Sequence, residues 1–566
     1  MDKKKIQEIF TGSTMLEIPY FQRSYVWDED NWKRFLEDFK EICIAKKEYF
    51  MGTYIMKQKM TPSGSRHGDV RSVIDGQQRF TTLILFFLVL ALKNDKYADD
   101  FEHIFMNRQK EIILSHNHTD KSIFELLTKN ANLSDSDKDL YKNNNVFQAY
   151  QYFQKNLNPE DYDVDTLLRC VYFIPIDLQQ NDDEQQIFDT INSLGVRLTT
   201  AELLKNALFS NNEIDLFQNT WEKCFEKDQA EKDFWDSIVG SREKHSNLDT
   251  FLYAYINIYN DKDIRYKSLF NSYKEYLGNG INNPAMRAGF ISDLIEYAEI
   301  YRKYINPDIK SVVLNDNKNS IDRMNVIFFG LDTTTVLPYC LYVLKNAIPE
   351  EQEKIFGYLE TYIIRRMLCH DWTKNYNKKF KTMLTNKILT FKDLLANIMD
   401  GADTEDRLPT DLELQNKLNY DHTNAQARGI LYLLETGLRE PGKESTTVLP
   451  LDSYDLEHIM PKDWKTYWPL PADKDTSDNR DNRVSHIGLL GNKTLLAKGL
   501  NKSIKNREYA VKKTGISNNL GYNHYALGLK SFDFASFDTW DEDTIETRHK
   551  DLIEKIKTVW PYSNVR

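Results

Sequence analysis

Hydrophobic positions recur with a helical period through most of the chain, from about residue 93 to residue 440, without a repeat of fixed length. Near both ends, short stretches alternate with the period of strands instead. The longest apolar run, Leu83–Leu92, has ten residues, whereas a membrane span needs about 20. The pattern therefore predicts an α+β fold that is predominantly α-helical, and it predicts that Leu83–Leu92 is a buried core helix.

The first elements precede a candidate binding site. Residues 18–27 combine a proline with β-branched and aromatic neighbours, which favours extended chain. Asp28 or Asp30 can cap an amphipathic helix that follows, and residues 49–57 predict a strand containing Gly52. The predicted apolar face of this helix consists of Trp32, Phe35, Leu36 and Phe39.

A strand, a glycine turn and the buried helix meet around residue 76. The strand ends at Asp75, Gly76 forms the turn, and the helix begins immediately afterwards. Backbone amides at the start of a helix bind anions, and the guanidinium of Arg79 suits phosphate oxygens. Further neutral donors are Gln77 and Gln78. The stretch therefore predicts a phosphate-binding site.

The carboxylate of Asp75 has more than one interpretation. At the end of a strand it can hold a metal ion or orient Arg79 toward a ligand. Alternatively, Asp75 and Arg79 form an ion pair that only stabilises the corner between strand and helix. The spacing leaves these interpretations open.

Two segments of the long middle carry candidate polar residues. Glu184–Leu194 predicts a helix, and Thr199–Glu202 has the pattern of a capping box that opens the next one. Asn192 near the end of the first helix and Arg197 in the turn either lie near a ligand or belong to a simple pair of packed helices. Tyr362–Phe380 is rich in basic and aromatic residues and predicts a solvated helix face, with phosphate contact as the alternative.

The second candidate site lies between residues 455 and 513. A short strand runs from Asp455 to Pro461, a Gly-Asn turn contains Asn492, and Asn501 precedes a basic helical segment. Hydrolysis of a phosphodiester needs an activated water, and a neutral imidazole accepts its proton near pH 7. His458 is the predicted general base. Oxygen ligands for a divalent cation are Glu457 and the amide of Asn501.

Strand geometry sets a condition on this site. Consecutive side chains of a regular strand point to opposite faces, so Glu457 and His458 reach one site only if the strand end is distorted. Asp455, on the same face as Glu457, is the substitute ligand. Lys493–Lys513 carries seven basic residues against one acid and predicts a local basic surface.

Length and composition limit the remaining interpretations. A chain of 566 residues predicts two to four domains, and a net charge of −11 argues against a general nucleic-acid coat protein. Five scattered cysteines form no Cys-x-x-Cys pair, which agrees with a reducing cytoplasm. The first residues lead into no apolar segment of the kind that secretion signals contain.

Both candidate sites resemble parts of GmrSD-type restriction enzymes. Ile-Pro-x-Phe-Gln-Arg followed by Asp-Gly-Gln-Gln-Arg is similar to the ParB/sulfiredoxin-like domain, in which the second motif is implicated in binding and hydrolysing nucleoside triphosphate. Glu-His-Ile-x-Pro, Gly-Asn-x-Thr-Leu-Leu and Leu-Asn resemble the HNH domain of the same proteins. The resemblance implies His458 as general base, Asn492 as the central asparagine and Asn501 as metal ligand. It implies nucleotide contacts for Gln22, Arg23, Asp75, Gly76, Gln77, Gln78 and Arg79.

The resemblance predicts three regions. They are an NTPase core over residues 1–95, completed by about 170–210, a helical linker or recognition region over 96–440, and an HNH domain of the ββα-metal type with a closing helix over 441–566. The carboxyl-terminal helix is expected to carry Ile545, Arg548, Leu552, Ile556 and Trp560.

The resulting hypothesis is a cytoplasmic, nucleotide-dependent DNA endonuclease of prokaryotic anti-phage defence. It implies Mg²⁺ or Mn²⁺ at the nuclease site, a nucleoside triphosphate of unknown base, and modified phage DNA as substrate. Members of the family and the similar SspE proteins act on sugar-modified or phosphorothioate DNA. The alternatives are a nucleotide-gated DNA-binding protein with an inactive nuclease site, and a host-directed ribonuclease or toxin. No membrane partner is expected, and the oligomeric state, a homo-oligomer included, stays open.

Overall fold

A computed structural model gives the fold of the chain, which divides into two compact units, Met1–Glu222 and Lys223–Arg566. The structure describes residues 3–10, 14–20, 22–59, 69–129, 133–178, 199–209, 213–240, 244–260, 262, 264–278, 280, 283–314, 320–371, 375–399, 406–418, 422–440, 442–443, 446–498, 506–516, 519–522, 529–531 and 537–562.

The first unit contains a mixed six-stranded sheet in the order β1-β6-β3-β4-β2-β5. Its central strand β3 runs parallel to β6 and antiparallel to β4, while β2 runs parallel to both β4 and β5. The strands are β1 (Lys4–Lys5), β2 (Thr14–Glu17), β3 (Tyr49–Gln58), β4 (Asp69–Asp75), β5 (Leu114–Ser115) and β6 (Val171–Leu178). The predicted strand over 49–57 is confirmed.

Helices of the first unit pack with this sheet around a core of apolar and aromatic side chains. They are α1 (Ile6–Ile9), α2 (Glu29–Ala45), α3 (Gln77–Lys93), α4 (Ala98–Phe105), α5 (His118–Lys129), α6 (Asp135–Tyr141), α7 (Asn145–Asn156), α8 (Val164–Cys170), α9 (Thr200–Leu208) and α10 (Ile214–Phe217). The prediction of a buried helix is confirmed, because α3 is buried on all sides over residues 80–90.

Local capping signals predicted two helix starts correctly. Asp28 caps α2, where its carboxylate accepts a hydrogen bond from the backbone of Asn31. Thr199 and Glu202 form the capping box at α9, each side chain bonding to the other residue's backbone. The predicted helix Glu184–Leu194, together with Asn192 and Arg197, lies outside the described residues.

The second unit is mostly helical. Its helices are α11 (Gln229–Asp236), α12 (Asn247–Tyr259), α13 (Leu269–Leu277), α14 (Pro284–Tyr304), α15 (Ser320–Asn325), α16 (Leu337–Asn346), α17 (Pro349–Leu368), α18 (Tyr376–Thr385), α19 (Phe391–Met399), α20 (Asp411–Lys417), α21 (Asn424–Leu438), α22 (Ser477–Gly488), α23 (Tyr509–Thr514) and α24 (Glu542–Val559). Three strand pairs accompany them: β7 (Ile238–Val239) with β8 (His245–Ser246), β9 (Tyr454–His458) with β10 (Lys493–Ala497), and β11 (Gly515–Ile516) with β12 (Asn519–Leu520).

One predicted surface is wrong in part, although Lys378 of the same segment is exposed. Arg365 and Arg366 on α17 are buried and do not belong to a solvated helix face. The guanidinium of Arg365 donates to the backbone carbonyls of Pro409 and Trp560, 2.9 and 2.7 Å away, and contacts Asp411 at 2.6 Å. Distant backbone carbonyls thus replace the water that a charged helix face would otherwise require.

The predicted α+β, predominantly helical architecture is confirmed. The predicted closing helix is also present as α24, and its apolar positions are buried. Within the described parts of the chain, every helix is too short or too polar to cross a lipid bilayer. The predicted region boundaries at residues 95/96 and 440/441 stay predictions.

Candidate functional site

The second candidate site is built on the antiparallel pair of β9 and β10. His458 pairs with Lys493 and Glu457 pairs with Thr494, and the register continues without a shift from one end of β9 to the other. Neighbouring residues of a regular strand point to opposite faces, so the side chains of His458 and Glu457 diverge. The distorted strand end that would bring both into one site is absent from this pair.

Asn492, in the turn before β10, uses its whole side-chain amide to hold the neighbouring backbone. Its Oδ1 accepts hydrogen bonds from the backbone of Met460 at 2.8 Å and from the indole of Trp540 at 3.1 Å. Its Nδ2 donates to the carbonyls of Met460 and Ile487, at 2.8 and 3.1 Å. Asn492 is fully buried and fixes the chain that follows His458, while its catalytic role stays a prediction.

Glu457 lies in a buried ion pair with Lys512 of α23. The carboxylate accepts from the ammonium at 2.5 Å and from the hydroxyl of Tyr522 at 2.9 Å. The same ammonium donates to the backbone carbonyls of His458 and Ile459, at 3.2 and 2.9 Å. Burial raises the pKa of Glu457 despite the attraction of Lys512, and burial also lowers the pKa of Lys512. Glu457 as a metal ligand stays a prediction, and here its carboxylate is engaged by protein groups.

The predicted basic surface is smaller than the sequence indicates. Lys493 and Lys512 are fully buried, and the ammonium of Lys493 donates to the carbonyl of His422 at 3.3 Å. Lys498 and Arg507 are exposed. Lys502 and Lys505 lie outside the described residues. These two lysines can leave the surface because carbonyl or carboxylate oxygens surround a buried ammonium and compensate for its lost hydration.

The described residues do not complete a metal site. Within the described ranges, no group of three or more histidine, cysteine, aspartate or glutamate side chains can hold a metal ion. Asn501 lies outside those ranges. Mg²⁺ keeps several of its waters and uses one or two protein ligands, so the fit of a divalent cation depends on Asn501 and on the release of Glu457 from Lys512.

The first candidate site is built where β4 ends and α3 begins. Asp75 is the last residue of β4, and Gly76 precedes α3 with a φ of +100°. A Cβ at Gly76 would lie 2.9 Å from the Cβ of Tyr54, so both the conformation and the space require glycine. Among the described residues no side chain caps α3, and an anion at the amides of its first turn stays a prediction.

Arg79 lies between Asp75 and the backbone of β3. Its guanidinium contacts the carboxylate of Asp75 at 3.0 Å and donates to the carbonyl of Met51 at 3.5 Å. Gly52 has a φ of +119°, and a Cβ there would overlap the guanidinium. The ion pair of the structural alternative is thus present, and the same contact orients Arg79 beside the helix start.

Two of the predicted glutamines join the segment 22–26 to this corner. Gln78 accepts a hydrogen bond from the backbone of Val26 at 2.9 Å and donates to the carbonyl of Ser24 at 3.3 Å. Gln22 donates to the carbonyl of Ile74 at 2.9 Å. The structure therefore brings together the two sequence blocks that are about fifty residues apart.

Three polar atoms of this site are buried without a hydrogen-bond partner among the described residues. They are Oε1 of Gln22, Oε1 of Gln77 and Nε of Arg23. Nε of Arg23 lies 3.8 Å from the carboxylate of Glu202, beyond hydrogen-bond distance. Buried polar groups are nearly always hydrogen-bonded, so this donor and these acceptors are groups that a polar ligand would engage. They fit the phosphates, hydroxyls and base edges of a nucleotide.

Comparison with protein families identifies both regions. The model described as GmrSD restriction endonuclease, N-terminal domain, matches residues 6–209, and GmrSD restriction endonucleases, C-terminal domain, matches residues 405–555. The chain belongs to the GmrSD restriction endonuclease family. This GmrSD protein is therefore a restriction endonuclease of phage defence. No curated protein matches the chain.

The two GmrSD matches contain the two candidate sites, one in each unit. Neither match reaches the helical stretch between residues 209 and 405.

Sequence reasoning missed two residues that support the first site of this GmrSD protein. Asn117 donates to the carbonyls of Gln22 and Arg23, at 3.0 and 2.7 Å. Asp120 accepts a 2.6 Å hydrogen bond from the backbone of Tyr25. Both are buried at the start of α5, and a lone Asn and Asp near a helix start normally indicate no more than a cap.

Sequence reasoning also placed Arg548 only on the structural face of the closing helix. In the structure its buried guanidinium donates to the carbonyls of Gly491 and Lys493, at 2.5 and 2.8 Å, and so holds the turn that contains Asn492. Burial lowers the pKa of Arg548 to about 9. The signal in the sequence was that Arg548 occupies a position of α24 at which the helical period otherwise places apolar residues.

Proposed function

We propose that this GmrSD family member is a nucleotide-dependent endonuclease that cleaves or nicks modified phage DNA in the prokaryotic cytoplasm. The proposal is supported above all by His458, a half-buried histidine at the end of β9 whose backbone is fixed on two sides. Lys512 binds the carbonyl of His458, and Asn492 binds the residues that follow it.

The chemical role of His458 follows from its position. A neutral imidazole accepts a proton from a water molecule and raises its nucleophilicity toward a phosphodiester. A bound Mg²⁺ or Mn²⁺ would neutralise charge on the phosphate, with Asn501 and, once released, Glu457 as its protein ligands. Asn492 and Lys512 keep the imidazole in place during this step.

Plasmid nicking with Mg²⁺ or Mn²⁺ tests the nuclease role. His458→Ala should cut at least a hundredfold more slowly, because general-base catalysis contributes about 10²–10⁴-fold. His486→Ala is the matched control, since His486 is, like His458, a half-buried histidine, and it lies on α22 of the same unit. If His458→Ala cuts as fast as the wild type, the assigned base is wrong.

The first site is proposed to bind and hydrolyse a nucleoside triphosphate. The amides of α3 and the guanidinium of Arg79 would contact phosphates, and the unpartnered atoms of Gln22 and Gln77 would contact the rest of the nucleotide. Gly52→Ala should abolish nucleotide turnover because the new Cβ displaces Arg79. Gly442→Ala is the control, since Gly442 also has a positive φ but open space around it. If Gly52→Ala and Gly442→Ala hydrolyse nucleotide at the same rate, Arg79 does not belong to the nucleotide site.

One observation favours a second function. The engagement of Glu457 by Lys512 agrees with a nucleotide-gated DNA-binding protein whose nuclease site is inactive. That function predicts nucleotide turnover that is lost in Asp75→Ala, together with no cleavage of unmodified, glucosylated or phosphorothioate DNA. Cleavage of any of these DNAs that depends on His458 would exclude it.

A further inference from the structure

A cavity with a volume of about 470 Å³ lies in the second unit, between α12, α18 and the residues that lead into α16. Its lining residues fall between residues 253 and 386, in the stretch that neither family match covers. The volume is within the range of pockets that bind small molecules or single building blocks of polymers. The cavity opens to solvent, so a ligand attached to a longer chain can enter it.

The chemistry of the lining is unusual for an acidic protein. None of the twelve described lining residues is an aspartate or glutamate, although the chain has a net charge of −11. Two lysines line the cavity, and amide and hydroxyl side chains provide most of its other polar groups. Such a lining favours a ligand that carries negative charge and several hydrogen-bonding groups.

The polar side of the cavity is one face of α18. Its lining residues at positions 377, 378, 381, 382 and 385 recur at the spacing of a single helical face. Lys378 is exposed, and the ammonium of Lys381 donates to the carbonyl of Asn257 across the cavity at 2.7 Å. This contact positions the ammonium of Lys381 at the cavity.

The opposite side begins a stack of parallel rings. Tyr253 lines the cavity and stacks on Tyr266, with centroids 4.5 Å apart and planes 13° from parallel. Tyr266 stacks in turn on His245 at 3.7 Å and 5°. Tyr266 and His245 line a second cavity with a volume of about 160 Å³. Aromatic stacks beside cationic side chains are the usual platform for nucleic-acid bases.

The backbone that connects the two cavities is irregular. A π-helix over Val326–Gly330 precedes Asp332, a non-glycine residue with a φ of +55°. Thr334 and Thr335 follow directly and line the smaller and the larger cavity. π-helical segments and strained residues persist mainly where function maintains them.

We propose that this cavity binds one nucleotide of a DNA strand, with its phosphate at Lys378 and Lys381 and its base beside Tyr253. The inference rests on the proposed function, because it makes the middle region the part of the endonuclease that contacts an unpaired or extruded nucleotide of its substrate. The same chemistry would also accept a free nucleotide, and the experiment separates the two sources.

The test uses the full chain in EDTA, so that no cleavage occurs, with a labelled single-stranded DNA oligonucleotide. Fluorescence anisotropy gives the dissociation constant over a range of KCl concentrations. Lys378→Ala should lower the slope of log K against log salt by about 0.7, the value for one phosphate contact on a single strand. Lys392→Ala should leave the slope unchanged, because Lys392 is an exposed lysine outside the cavity.

A second pair of variants tests the cavity itself. Thr382→Trp places a bulky ring in the cavity from an exposed helix position and should weaken DNA binding about tenfold, the loss expected for one stacked base. Thr382→Ala should bind like the wild type, and equal melting temperatures show that both variants fold. ATP and a deoxynucleoside monophosphate are the competitors. If a nucleotide competes with DNA and Thr382→Trp abolishes this competition, the cavity binds a free nucleotide. If neither nucleotide competes with DNA, the cavity binds the DNA strand.

The proposal is overturned if Thr382→Trp and Lys378→Ala both bind DNA and nucleotide like the wild type, or if the wild type binds neither. Plasmid nicking keeps this result separate from the proposed nuclease. If nicking still depends on His458 while the cavity variants bind normally, only the cavity assignment fails.

Discussion

Replacing Lys512 by Met tests whether Glu457 supports the nuclease site structurally or serves as a ligand. The variant keeps the length of the side chain but removes the ammonium, which contacts Glu457 at 2.5 Å and the carbonyls of His458 and Ile459. Among the described residues, the buried carboxylate would then keep only the hydroxyl of Tyr522 as a partner. Because an unpaired buried charge is costly, we expect a loss of about 3–5 kcal/mol of local stability.

Hydrogen–deuterium exchange of the peptide that contains β9 measures this loss directly. A loss of that size accelerates exchange roughly hundredfold or more wherever the strand opens locally. The matched control is Lys550→Met, which breaks an exposed ion pair with Glu546 on α24 and should change exchange of β9 very little. The double variant Glu457→Leu with Lys512→Met removes both charges and should recover most of the stability.

The same variants distinguish the two roles of Glu457. If the carboxylate is structural, Glu457→Gln accelerates exchange of β9, and nicking falls in parallel because the backbone of His458 is no longer held. Unchanged exchange in Lys512→Met, or strictly additive losses in the double variant, would refute the buried-pair reasoning. Glu457→Gln that loses nicking at unchanged stability, with a raised requirement for Mg²⁺, would instead identify a ligand.

Two further predictions concern packing and pH. Gly491→Ala should lower the free energy of unfolding by about 1–3 kcal/mol, because the new Cβ would lie 2.5 Å from the carbonyl of Ile545 and 2.7 Å from Cβ of His549. A denaturant titration measures this change. In the same titration Gly289→Ala, in a helix interior with open space, should raise the free energy of unfolding by about 0.5–1 kcal/mol. Burial lowers the pKa of His549 from 6.5 to about 4 and that of His116 to about 3. The unfolded chain therefore binds the extra protons below pH 6.5, and stability, fully present above that pH, should fall by about 2 kcal/mol per histidine by pH 5. A flat profile, or one unchanged in His549→Gln, would contradict this.

Local patterns were sufficient for the elements that carry both sites. The cap at Asp28, the capping box at Thr199, the turn at Gly76 and the strand before Pro461 depend on residues within a few positions of one another. Helix caps and strand alternation act over the same short distance, so the sequence alone predicts them. It also predicted that Glu457 and His458 diverge in a regular strand.

What only the tertiary structure decided is which charged residues are buried. Lys512 meets Glu457 across 55 positions, and Arg365 reaches the carbonyl of Trp560 across 195. In the sequence such residues predict a basic surface, because an isolated charge belongs in water. A charge can leave water only when oxygen atoms from distant segments surround it, and only folding brings those segments together. For the same reason, the sequence alone does not predict the cavity at α18, whose described lining contains no carboxylate and comes from separate segments of the chain.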